Sequence, residues 1–530
     1  MTYNKYPLKT SSRKFVRRVF YLQQVKFKSM MTTVGACSAS AVVFSIAQSV
    51  QGCELLAFVA LIPVGVVLQP RRLGHTLACL ALFNGLYTAV TMHWLRYAYS
   101  GFEWVLPIVG LYAAVFMVIP SLGCALVRSS RCQSVGLLAL PFGLALAELV
   151  ARRSPIAMTW ALFGQPAANW PALAQVTAIG GPEVLTLMVL ATNGAMIMML
   201  RKAARPTRVV AFLLGPVLLL AVGVGGMIRL SGPRVKAESF HVAVIQPYVR
   251  SVDKADHTKR SDILARYDRM IDQVTQSSAD IDLVVLPETA VRGVVRYEDD
   301  LTEWVKAVIL RTRLPFLFGS LDQSEDGEEL FNVAVMITPY NTVAFYRRQY
   351  LMPIAEYTPE VWPVTGIFRW LSRNIPTITP GSETTVFELA TGPRLGTMIC
   401  YEDVLPNLAN RYAGHDVDLL IAPINTERFR QSSQPRQHVR RAQLTAIATG
   451  LPMVRCTNSG ISCTIDRRGR VSQRITDTKG KVVLVEGARV MKVLLDNRAT
   501  IYRWAGDWLA AGIYVGGILF LIFGCQVAGQ

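Results

Sequence analysis

The sequence predicts an α-helical transmembrane bundle that carries an α/β domain outside the membrane. Three features carry this expectation. Apolar runs recur near the length of a spanning helix, basic residues gather in the links between them, and a later stretch alternates short apolar strands with helical segments. At 530 residues the chain is longer than one ordinary soluble core. It is 52% hydrophobic and 17% charged, whereas typical soluble domains carry about 25% charged residues.

The formal charge of +19 points to a membrane protein rather than a nucleic-acid binder. Much of it sits in the first 28 residues and in short links, and no nucleic-acid motif accompanies it. The basic start is followed by several apolar runs instead of one, so it reads as a retained anchor and not as a signal peptide.

A spanning helix needs about 20 mostly apolar residues. Runs at 31–50, 54–69, 76–95, 104–126, 134–150, 182–200 and 209–229 approach this length, and an eighth follows at 507–526. With the N-terminus in the cytoplasm, alternation puts Arg71–Arg72, Arg128–Arg131 and Arg201–Lys202–Arg205–Arg208 inside, as the positive-inside bias demands. Arg152 and Arg153 fall outside, against that bias. The expected organisation is a basic cytoplasmic segment (1–30), a bundle of about seven helices (31–230), an extracytoplasmic domain (231–505) and a C-terminal transmembrane helix (506–530).

Between 231 and 505 the pattern is α/β. Short apolar strands are expected at 240–247, 281–288, 314–320, 332–339, 394–403, 417–425, 451–460 and 462–471, with helices at 258–276, 300–312 and 436–449. The stretch 332–348, broken by "PYN", reads as a hairpin.

Three strands end in polar groups: "VVLPE" at Glu288, "VAFYRRQYLMP" at Arg348 and "GTMICYED" at Cys400. Ligands gather beyond strand ends in open α/β sheets. A carboxylate, a cation and a thiol there suggest acyl transfer through a thioester. The acid moves protons, the thiolate attacks a carbonyl and the cation holds the oxyanion. The nine cysteines show neither a metal-site spacing nor a disulfide framework. Cys456 and Cys463 read as reduced core residues, and His438 as a packing histidine.

The same stretches carry a resemblance. "LPETA", "YRRQYLMPIAEYTP", "GTMICYEDVLP", "QHVRRAQLTAIATGLPMVRCTNSGIS" and "IDRRGRV" resemble the nitrilase superfamily, with its Glu–Lys–Cys triad. With "MHWLRYAYSG" (92–101) and "TWALFGQPAANWPALAQVTAIGG" (159–181), the chain resembles the apolipoprotein N-acyltransferase family nearly end to end. The resemblance implies a nitrilase-like αββα sandwich in the periplasm, anchored in the bacterial inner membrane, acting as a monomer without metal or organic cofactor. It implies a phospholipid acyl donor and a diacylglyceryl-modified lipoprotein acceptor. By position it makes Glu288 the general base and Cys400 the nucleophile, with Glu356 a second carboxylate and Tyr401 and Glu402 beside the thiol.

The chain departs from the family pattern in three places. Arg348 stands where the family has lysine, and no lysine is close in sequence. "NTERF" (425–429) replaces "ND.WF", and "TAIA" (445–448) replaces "RA.E". Two alternatives follow: a non-catalytic homologue that binds lipid or lipoprotein, or a membrane amidase or acyltransferase with another acceptor. The loop "VWPVTGIFRWLSRNIP" (361–376), with Trp362, Phe368 and Trp370, is expected to be a lid whose aromatic groups meet the lipid interface and admit acyl chains.

Overall fold

Each of the eight apolar runs folds as helix, in whole or in part. The computed structural model describes residues 11–527 except 71, 99–103, 128–134, 155, 157–159, 202–204, 233–237, 278–279, 291–292, 295–297, 341, 361–364, 374–376 and 391. Among the described residues, five helices are long and apolar enough to cross a membrane: Lys28–Ser49, Leu73–Thr91, Val105–Leu126, Thr177–Leu200 and Arg208–Ser231. Three of the eight expected spans are shorter. Glu54–Val67 and Trp508–Phe523 are short apolar helices, and Leu140–Arg152 begins at a proline-marked turn after the 3₁₀ turn Val135–Ala139. Proline suits the first turn of a helix, where its missing N–H has no partner to lose.

The helix Thr177–Leu200 starts before the expected 182 and is broken at Gly180, Gly181 and Pro182. Gly181 takes φ 77°, and a Cβ there would strike Glu183 and the Tyr502 ring. Only glycine combines that backbone with that close approach.

The α/β part consists of two six-stranded sheets. The first contains β1 (Ser239–Gln246), β2 (Leu283–Val285), β3 (Phe316–Gln323), β4 (Leu330–Ile337) and β5 (Val343–Arg347). The second contains β6 (Val386–Glu388), β7 (Arg394–Thr397), β8 (Leu419–Ile424), β9 (Met453–Thr457), β10 (Cys463–Ile465) and β11 (Val471–Ser472). The chain then returns to the first sheet as β12 (Gly487–Leu494), antiparallel to β1 along its whole length. In each sheet three parallel strands, β1–β2–β3 and β7–β8–β9, are flanked by antiparallel ones. The expected hairpin is the β4–β5 pair.

Strand alternation builds the layers. Val242 and Val244 of β1 join Leu419 and Ile421 of β8 in the core between the sheets. Their neighbours Ala243 and Ile245 pack outward on Tyr267, Met270 and Ile271 of the helix Arg260–Ser277. Side chains two apart share a face, so one strand seals both layers.

The helix Gln434–Thr449 joins this sandwich to the bundle. Trp94 Nε1 donates to Gln437 Oε1 at 3.0 Å, and Gln165 Nε2 donates to the Gln437 carbonyl at 2.9 Å. Arg440 pairs with Glu54 at 2.9 Å. Both partners are buried, so each polar group needs the other.

Candidate active site

Glu288, Arg348 and Cys400 follow β2, β5 and β7 at the same end of the sandwich, where the parallel strands present their C-termini. Gly319 of β3 lets Glu288 reach its place, since a Cβ there would lie 2.5 Å from the Glu288 Cα. Cys400 opens the 3₁₀ turn Cys400–Val404 and has φ 53°, a left-handed conformation that costs a non-glycine residue about 1–3 kcal/mol. That turn carries the thiol out of the strand toward the two other groups.

The three side chains meet. Arg348 Nη1 donates to Glu288 Oε1 and to Glu356 Oε1, both at 3.0 Å. Asn332 Nδ2 donates to the same two oxygens, again at 3.0 Å. The Asn425 N–H donates to Glu288 Oε2 at 3.0 Å, and the Cys400 thiol lies 3.9 Å from the Asn425 carbonyl. The thiol and the Glu288 carboxylate are near enough to perturb each other's proton affinity. Met352 N–H completes Glu356 at 2.7 Å.

Electrostatics follow from burial. Burial raises the Glu288 carboxyl above its usual range; the Arg348 charge opposes this and Glu356 adds to it. Burial also holds the Cys400 thiol well above its usual range, with Glu288 pushing the same way and Arg348 against. Burial disfavours the Arg348 cation, but the Glu356 and Glu288 charges outweigh it and keep the guanidinium protonated. A neutral thiol beside a carboxylate can react only when that carboxylate takes its proton.

Tyr401 is buried, with its ring centroid 5.8 Å from that of Trp160. Glu402 is fully enclosed. It accepts from four donors: Tyr346 Oη at 2.8 Å, and the N–H groups of Ile399 at 2.8 Å, Gln349 at 2.7 Å and Tyr350 at 3.0 Å. It therefore ties the nucleophile turn to the loop that carries Arg348, and these contacts make it a structural anchor inside the protein. In the expected lid, residues 365–372 form the helix Thr365–Ser372. Phe368 is buried within the protein, Trp370 is exposed, and Trp362 lies outside the described residues.

Sequence reasoning missed several participants. Asn332 bridges both carboxylates from inside β4, where a polar residue in an apolar strand was the available signal. Lys254 is far from Arg348 in sequence, yet its Nζ donates to the Thr289 carbonyl at 2.6 Å and the Glu288 charge acts on its ammonium. Burial pulls this ammonium down to about 8. Behind the thiol, His438 Nε2 pairs with Asp403 at 2.7 Å and Arg455 reaches the other Asp403 oxygen at 3.2 Å. His438 also packs edge-on against Trp160, so packing is its visible role. Cys456 and Cys463 are free and buried.

A cavity of about 620 Å³ adjoins the site between the sandwich and the bundle. Tyr401, Tyr350 and Tyr357 line it on one side and Arg152, Arg153 and Asp507 on the other.

Residues 241–489 match the carbon-nitrogen hydrolase family, and residues 40–195 match the apolipoprotein N-acyltransferase N-terminal domain. An apolipoprotein N-acyltransferase of Geobacter metallireducens is 26% identical over 439 residues, covering 79% of this chain and 82% of its own. One of Rhodopseudomonas palustris is 27% identical over 481 residues, covering 85% and 87%. Among solved structures, Saccharomyces cerevisiae Nit3, a member of branch 10 of the nitrilase superfamily, is 17% identical with a TM-score of 0.38, covering 52% of this chain and 96% of its own.

Proposed function

The chain belongs to the apolipoprotein N-acyltransferase family of the nitrilase superfamily, and we propose on that premise that it moves a fatty acyl chain from a phospholipid to the N-terminal cysteine amine of a lipoprotein. The observation that carries the chemistry is the meeting of Cys400, Glu288 and Arg348 in one buried pocket. Glu288 takes the Cys400 proton, and the sulfur attacks the ester carbonyl. Arg348 and the Tyr401 N–H hold the oxyanion. The glycerol oxygen leaves with the proton returned by Glu288, giving a lysophospholipid and an acyl thioester. The acceptor's neutral amine then attacks the thioester carbonyl. Its proton passes through Glu288 to the departing thiol, and an amide forms.

The same reading puts the chain in the bacterial inner membrane as a monomer. Residues 31–230 and 506–530 span, and 231–505 face the periplasm. Trp370, exposed on the helix Thr365–Ser372, would border the route of the acyl chain.

Alkyne-tagged phospholipid added to the full chain tests this. The expected result is a tag on Cys400, lost in Cys400→Ala, that an amine-terminated lipopeptide discharges as its N-acyl product. Discharge by water alone would make the protein a hydrolase. A tag absent from the wild type but present in Arg348→Lys would make it a non-catalytic homologue.

A further inference from the structure

At the other end of the second sheet, away from Cys400, lies a cavity of about 360 Å³ where the sandwich meets the bundle. Ile465 pairs there with Met453 at the start of β9, whereas the candidate active site lies past that strand's far end. Arg229, Arg467, Arg468 and Arg498 all line the cavity, and among the described residues none that lines it is acidic. Asp496 stands behind as counter-charge to two of them, 2.7 Å from Arg467 and 3.6 Å from Arg498. Arg468 and Arg470 donate to the carbonyls of Leu230 and Gly232, capping the helix that ends at Ser231. Burial, and after it the charges of Arg467 and Arg470, lower the Arg468 guanidinium, as expected for cations that face one another.

Capping accounts for Arg468 and Arg470. Arg229 makes a long bond, to the Gln175 carbonyl at 3.4 Å, and capping does not account for Arg229 and Arg498 lining the same space. The apolar surroundings supply the second observation. Ile179 and Ile501, at the cavity wall, are 44% and 53% exposed. Met227 and Ile228 beside Arg229 are 54% and 69% exposed on the candidate span Arg208–Ser231. Trp504 and Trp508 are almost bare at the start of the last apolar helix. Exposed aliphatic side chains running up to convergent arginines match a lipid: tails along the helix, phosphate among the guanidiniums.

We propose that this cavity binds the headgroup of an anionic glycerophospholipid from the leaflet on the sandwich side, at a site separate from acyl transfer. It fixes the sandwich against the bilayer at the end opposite Cys400, and it stands whether or not Cys400 transfers acyl groups.

The test uses the full chain in nanodiscs of phosphatidylcholine with or without phosphatidylglycerol, read by melting temperature and by lipid retention in native mass spectrometry. The wild type should melt higher with phosphatidylglycerol and retain it in preference to phosphatidylcholine. Arg229→Gln and Arg498→Gln should each cut that preference about fivefold. The exposed Arg498→Gln should melt like the wild type in phosphatidylcholine alone, which separates lost binding from lost folding. Equal retention of both lipids by the wild type would overturn the proposal, as would an unchanged preference in both variants. Inorganic phosphate reproducing the melting increment in phosphatidylcholine discs would make this a free-anion site and overturn the lipid assignment.

Discussion

Arg348 Nη1 lies 3.0 Å from Glu288 Oε1, so the base and the cation of the site are an ion pair before any substrate arrives. The same nitrogen lies 3.0 Å from Glu356 Oε1. One guanidinium is therefore shared by two carboxylates, buried Glu288 and half-buried Glu356. Removing it in Arg348→Ala should cost about 3–5 kcal/mol of stability, because the carboxylates would be left facing each other. Acylation of Cys400 should fall about 10²–10³-fold, the usual loss for one oxyanion donor. Arg348→Lys keeps the charge and should lose less on both counts. Melting curves and alkyne-lipid labelling measure the two effects; equal losses in the two variants would show that shape, not charge, matters at 348.

Glu288 and Cys400 give a pH signature. Burial raises Glu288, so the acylation rate should fall on the acid side through a pKa above the ~4.3 of free glutamate. Because the folded chain holds that proton more tightly than the unfolded chain, stability should drop as pH rises through the same window. Glu288→Gln should remove this drop. It should also slow iodoacetamide labelling of Cys400 at neutral pH by at least about 10²-fold, since the raised thiol then has no base. Fast labelling in that variant would mean another group deprotonates the sulfur.

Lys254 behaves in the opposite sense. Its folded value of about 8 lies below the ~10.4 of a free lysine. The unfolded chain binds the proton more tightly in that interval, so stability should rise with pH across it. Lys254→Met should flatten the rise, and denaturation midpoints at the two ends of the interval would show it. The variant should also loosen the Thr289 carbonyl and lower the acylation rate, since Thr289 follows the base.

Trp160 should matter although it touches no reacting atom. Its ring stands 5.4 Å from Trp94, 5.8 Å from Tyr401 and 5.3 Å from His438, centroid to centroid. Trp160→Ala should cost about 3–5 kcal/mol as a large buried aromatic is lost. Trp160→Phe should cost less and retain Cys400 labelling. Identical labelling rates in wild type and Trp160→Ala would show that the nucleophile turn is held without it.

Glu402 should tolerate little. Glu402→Ala strands four donors that converge on one carboxylate, and a buried unpaired donor costs about 1–3 kcal/mol. The variant should melt far below wild type even though Cys400, Glu288 and Arg348 are all present.

The sequence by itself determined the two-part architecture. Apolar length and strand alternation are local properties, and local chemistry is written residue by residue. It also named Glu288, Arg348 and Cys400, because each ends an apolar strand. It did not reveal β12, whose mixed charged and apolar residues suit an edge strand half open to solvent. Only the tertiary structure decided what stands beside the triad. Asn332, Lys254, Trp160 and the Arg229–Arg498 cavity are each assembled from segments tens to hundreds of residues apart. Nothing in a linear pattern records which of those segments will pack together, because that choice is made by burial of surfaces that meet only in the folded chain.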